Sequence, residues 1–171
     1  MKNLIFLFLP VFLFGCISTP EGVEPVTDFD ISRYLGTWYE IARLDHSFER
    51  GLMEVTADYS FREDGGINVI NRGRDMETGK WKEAAGKAYF TEDKDVGKLK
   101  VSFFGPFYGA YNIARLERDY SMALIVGPTL GYAWLLSRTR EPDAALCDRY
   151  FTEATRLGIS REDWILVRTC R

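Results

Sequence analysis

Few side chains in this chain are equipped for covalent or acid–base chemistry. There is one histidine, His46, and there are three cysteines, Cys16, Cys147 and Cys170. Any Ser-His-Asp set would have to be built through His46, which falls in DHSFERG, residues 45–51, and reads as a solvated loop side chain. No Cys/His spacing suits a metal, and no glycine-rich run is suited to cradle a phosphate. The chain is therefore not expected to be an enzyme or to need a cofactor.

The sequence is rich instead in apolar, aromatic surface. KVSFFGPFYGAYN, residues 100–112, sets Phe103, Phe104, Phe107, Tyr108 and Tyr111 around Gly105, Pro106 and Gly109. Gly and Pro make turns, so this turn is loaded with side chains that water disfavours. Ordinary core, a membrane-touching loop and the mouth of a pocket for an apolar ligand are all compatible with it. With 171 residues, 46% hydrophobic and 27% charged, the chain has material for one globular domain and is not disordered. Its net charge of −3, with both signs mixed along the chain, offers no basic patch to nucleic acid.

The N-terminus reads as a targeting segment. A short basic start, Met1-Lys2-Asn3, precedes an apolar run from Leu4 to Gly15. That run is too short to span a bilayer as a mature helix and has the length of a signal-peptide core. LFGC, Leu13 to Cys16, resembles the bacterial lipobox, in which the Cys becomes a lipid-modified N-terminus after cleavage. Ile17 stands where an Asp would imply retention at the inner membrane, so the outer membrane is expected. The expected organisation is a signal peptide over 1–15, a lipid-anchored polar tether over 16–28, and one domain over 29–171.

Period-two alternation dominates the domain. In EVTADYSFR, Val55, Ala57, Tyr59 and Phe61 share one face; after the turn at residues 63–66, Ile67, Val69 and Asn71 follow suit. KWKEAAGKAYF and KLKVSFF come next, the latter aiming Leu99, Val101 and Phe103 inward. AYNIARLE, YSMALIVG and GYAWLLSR, with Tyr132, Trp134, Leu136 and Arg138 in one register, complete eight strands with GTWYEIARL at the start. Sequential antiparallel strands with one apolar face bury it by closing; eight closed up-and-down leave room for one small ligand.

EPDAALCDRYFTEATRLGIS reads as a helix between Pro142 and Gly158, with Ala145, Leu146, Tyr150, Ala154 and Leu157 as its apolar stripe; DWILVR reads as a short ninth strand. About 22 Å of helix rise and about 20 Å of returning strand bring Cys147 and Cys170 to one level. In an oxidising compartment a disulfide between them is expected.

GTWYE, Gly36 to Glu40, is similar to the G-x-W signature of the lipocalin family, and Arg138 matches the family's other hallmark residue. Arg118-Asp119-Tyr120 matches a third motif in part. GTWYEIARLDHSFERG, GKAYF and KVSFFGPFYGAYN narrow the likeness to bacterial outer-membrane lipocalins and their apolipoprotein D-like relatives. The resemblance implies an all-β, eight-stranded antiparallel barrel with one C-terminal helix, closed at one end by Arg138 lying over Trp38. It implies a ligand cavity lined by Glu40, Ala42, Leu44, Val55, Ala57, Tyr59, Val69, Asn71, Leu99, Val101, Phe103, Tyr111, Tyr132 and Trp134. The expected ligand is a fatty acid or lysophospholipid, held near the outer membrane for envelope maintenance under stress; the resemblance also allows a homodimer. Phe107 and Tyr108 would then sit at the rim, facing a membrane, a dimer partner or an entering ligand. A siderophore carrier would want several cations in the cavity; Arg115 is the one candidate, and the pattern leaves its facing open. A different reading is an envelope interaction protein whose barrel is filled by its own side chains.

Overall fold

The computed structural model describes residues 17–171. The signal peptide and the lipidation residue Cys16 lie outside the described residues. A single turn of helix, α1 (Ile31–Tyr34), leads into eight antiparallel strands. These are β1 (Gly36–Arg43), β2 (Leu52–Phe61), β3 (Ile67–Asp75), β4 (Trp81–Phe90), β5 (Lys98–Phe104), β6 (Phe107–Leu116), β7 (Met122–Val126) and β8 (Ala133–Ser137). Each pairs with the next, and β1 pairs with both β2 and β8, so the sheet closes into a barrel. Helix α2 (Ala144–Arg156) and a two-residue strand β9 (Ile165–Leu166), which adds to β1, complete the chain.

The closed end is built by residues just before β1. The Asp30 carboxylate accepts from the Ser32 N–H at 2.9 Å and caps α1. Tyr34 then offers its carbonyl to Trp38 Nε1–H at 2.8 Å. Phe29, Tyr34, Trp38 and Tyr120 pack together as the barrel floor. The segment expected to be a tether lies along the barrel: the Val26 N–H donates to Ile113 O at 2.9 Å, its carbonyl accepts from Gly97 N–H at 2.8 Å, and Val23 is buried.

Helix α2 covers the outer face of the sheet. It buries Cys147, Tyr150, Phe151 and Ala154, a stripe at helical spacing, against Ile41, Ala42, Met122 and Leu124. Of the expected stripe, Tyr150 and Ala154 are buried and Leu146 and Leu157 pack half-buried against the same core, while Ala145 is exposed; Cys147 and Phe151 complete the buried face. The helix ends at Gly158, whose φ of 96° is the left-handed conformation of a C-terminal cap. Cys147 and Cys170 are disulfide-bonded, their Cα atoms 6.5 Å apart, tying α2 to the chain end.

Three residues expected in the cavity lie elsewhere. Between Glu40 and Ala42 the pairing of β1 with β8 shifts by one residue. A bulge of this kind moves every later side chain to the opposite face. Ala42 and Leu44 consequently pack in the outer core under α2, while Arg43 turns to the side of Glu40. Tyr132 is the third: it belongs to the turn before β8, with its N–H on Thr129 O and its carbonyl accepting from Gly127 N–H. Strand alternation does not reach back to it.

Candidate functional site

The barrel interior is an apolar cavity. About 80 Å³ inside it is open to the centre of a water-sized molecule, several times what a single water needs. Val55, Ala57 and Tyr59 of β2, Val69 and Asn71 of β3, and Leu99, Val101 and Phe103 of β5 line it, together with Glu40, Tyr111 and Trp134. Strand pleating is the reason: each set shares one face of its strand. Tyr34 and Ile31 of α1, and Glu49 of the β1–β2 loop, also line it and were missed in the sequence reading. Asp30 before Ile31-Ser32 is a helix-cap signal that could have found the first two. Nothing in the sequence marks Glu49, which reaches the cavity only because its loop folds back over the wall.

The floor carries three phenols in a chain. Tyr111 Oη lies 2.7 Å from Tyr34 Oη and 2.9 Å from Tyr59 Oη. Burial raises the pKa of all three, so they remain neutral donors and acceptors. A three-hydroxyl chain uses two of its protons internally and leaves one for a neighbouring acceptor.

One wall carries a buried charged group. Arg43 Nη1 donates to Glu40 Oε1 at 2.6 Å, and Arg43 Nη2 donates to the carbonyls of Glu49 at 3.1 Å and Leu52 at 2.9 Å. Trp134 Nε1–H donates to Glu49 Oε2 at 2.8 Å. Burial and the nearby Glu49 carboxylate push Glu40 up to about 8, against the pull of Arg43. Burial also raises Glu49. Asn71 Oδ1 of β3 is buried without a protein partner, an acceptor with free capacity in the cavity.

His46 is not the solvated side chain the sequence suggested. It is buried, with its ring parallel to Phe48 at 5.3 Å and to Tyr132 at 5.0 Å, and it leans on Trp134 at 4.6 Å. Burial lowers its pKa. Arg115 is settled as well: it faces α2, over the Tyr150 ring and 3.8 Å from Glu153, so it brings no cation to the cavity. The hallmark pair meets at the closed end, with the Arg138 guanidinium 4.1 Å above the Trp38 ring.

Comparison with known proteins agrees with this architecture. Residues 29–169 match the family model described as a lipocalin-like domain. The outer membrane lipoprotein Blc of Vibrio cholerae is 50% identical over 98% of this chain and 99% of its own length. The Escherichia coli protein of the same name is 53% identical over 86% of this chain and 85% of its own. Among solved structures, insecticyanin from the tobacco hornworm Manduca sexta superposes with a TM-score of 0.68 at 19% identity, covering 88% of this chain and 86% of that one.

Proposed function

This chain belongs to the lipocalin family, and on that footing we propose that it carries fatty acids or lysophospholipids at the bacterial outer membrane. The observation that carries the reading is the cavity: a closed barrel whose interior stays open, with about 80 Å³ free to the centre of a water-sized molecule, among Val55, Val69, Leu99, Val101 and Phe103. An acyl chain suits those walls. Burying a dozen methylenes gives about 10 kcal/mol gross, part of it offset by ordering and association. The few polar groups match such ligands: the spare phenolic proton suits a carboxylate or phosphate oxygen, and the Asn71 acceptor suits a glycerol hydroxyl.

The names of the two bacterial relatives, outer membrane lipoproteins, support the location and an acyl anchor on Cys16. Storage or transport of such lipids during envelope stress follows as the physiological role. The decisive experiment extracts the lipids that copurify with the protein, identifies them by mass spectrometry, and titrates the emptied protein with a fluorescent fatty acid. Recovery of acyl lipids and saturable binding are expected. Protein that is consistently empty and fails to bind the probe would return the barrel to a structural role in the envelope.

A further inference from the structure

We propose that the open mouth of the barrel docks on the phospholipid bilayer, so that ligand passes between cavity and membrane without crossing water. This rests on the carrier reading above and adds where the exchange takes place.

The exposed large apolar side chains gather at one end. Phe48 lies in the β1–β2 loop, Met76 and Trp81 flank the β3–β4 turn, Phe104 and Phe107 flank the β5–β6 turn, and Tyr132 lies in the β7–β8 loop. Every connection at the mouth contributes, and Phe104 is 81% exposed. Ile165 and Leu166 add to the same side, since β9 pairs with the mouth end of β1. The mouth also exposes charged side chains, among them Asp45, Arg50, Glu77 and Lys80. The opposite end differs in apolar content: its exposed surface includes Asp30, Arg33, Asp64, Arg118 and Asp119, with Phe61 as the exposed large apolar side chain. Water disfavours a ring of this kind, and such a patch marks an interaction surface. Aromatic side chains are suited to the bilayer interface.

The path of the N-terminal segment fits a bilayer as the occupant. Thr19 Oγ1 donates to Asn112 Oδ1 at 3.0 Å, midway along β6, and from there the chain is strapped to the barrel through Val23 and Val26. Cys16 is three residues away, a reach of about 11 Å at most. Asn112 stands five residues below Phe107. At strand rise and barrel tilt that is about 13 Å of height. Fully extended, the segment brings Cys16 to within about 2 Å of the height of Phe107, and the glyceryl and acyl groups on its sulfur cover the remainder, so the anchor enters a bilayer lying across the mouth with the strap intact. The anchor holds the barrel close, and the apolar ring selects which end turns down.

The test uses the acylated full chain reconstituted in vesicles of phosphatidylethanolamine and phosphatidylglycerol that contain brominated acyl chains, which quench nearby indoles. Fluorescence is expected to fall, and Trp81→Phe is expected to remove most of the fall. That variant separates docking from entry of a brominated lipid into the cavity, which would quench Trp134 instead. Absence of Trp81-dependent quenching overturns the proposal, whether or not the protein binds an acyl probe. Quenching that persists in protein that binds no probe supports docking and removes only the carrier reading. Replacing Phe104→Asp and Phe107→Asp together, both on the surface, is expected to slow probe transfer to acceptor vesicles about tenfold with binding unchanged. Unchanged transfer overturns the proposal. So does a dimer in sedimentation that the same pair of substitutions dissociates, with Trp81 unquenched; the mouth would then be covered by a second copy.

Discussion

Arg138 lies over Trp38, its guanidinium carbon 4.1 Å from the ring centre, and at the same time donates from Nη1 to Thr37 O and from Nη2 to Arg33 O and Leu35 O. One side chain from the end of β8 thus ties down both α1 and the start of β1. Replacing Arg138→Ala is expected to lower stability by about 2–3 kcal/mol, from a lost cation–π contact and orphaned carbonyls. Arg138→Lys should recover only part of this, because an ammonium cannot reproduce the planar fork. Guanidinium unfolding of the three proteins checks both statements.

The Cys147–Cys170 bridge closes a loop with a sequence separation of 23. Loss of that constraint on the unfolded chain corresponds to about 3 kcal/mol. Cys147→Ser with Cys170→Ser should therefore lower the unfolding midpoint while leaving acyl-probe binding in place, since the bridge lies outside the barrel. Thiol titration of unfolded, periplasm-derived protein should find neither cysteine free.

Ala57 lines the cavity and pairs with Trp38 across β1 and with Asn71 across β3. Ala57→Trp puts an indole into the empty space. A carrier should then lose at least about tenfold in probe affinity and keep its fold. A barrel already full would instead lose about 1–3 kcal/mol by overpacking. Circular dichroism melts and a probe titration on the same sample separate the two results.

Glu40 gives a pH signature. Burial raises its folded-state pKa to about 8 from an ordinary carboxyl value of 4.5. Between those values the unfolded chain has released a proton that the native state retains, so stability falls as pH rises, by at most about 1.4 kcal/mol per unit. Glu49, raised in the same direction, adds to the slope. His46 is lowered and acts oppositely, its contribution being lost as pH falls below its ordinary value of 6.5. The clean window is therefore pH 6.5 to 8. Wild-type melting temperature should drop across it, and Glu40→Gln should flatten the drop.

Much of the architecture was legible in the chain because barrel strands write their two faces into alternate residues. Val55, Ala57, Tyr59, Val69, Asn71, Leu99, Val101 and Phe103 were read as one surface, and they line one surface. Alternation fails where the backbone breaks step. The shift between Glu40 and Ala42 sent Ala42 and Leu44 under α2, and the turn at residues 127–132 carried Tyr132 onto His46. Neither a bulge nor a turn of this kind alters the hydrophobicity pattern that announces a strand, so periodicity cannot see it.

The barrel and the greater part of its apolar lining were legible from short-range periodicity, and the Trp38–Arg138 closure from the likeness of GTWYE and Arg138 to the family's motifs. Only the tertiary structure decided that Glu49, Tyr34 and His46 are buried, that Arg115 turns away, and that Thr19 is bound to Asn112. Each of those depends on loops folding back over strands remote in the chain. Such contacts are set by where the closed sheet places its ends, which no local pattern of residues encodes.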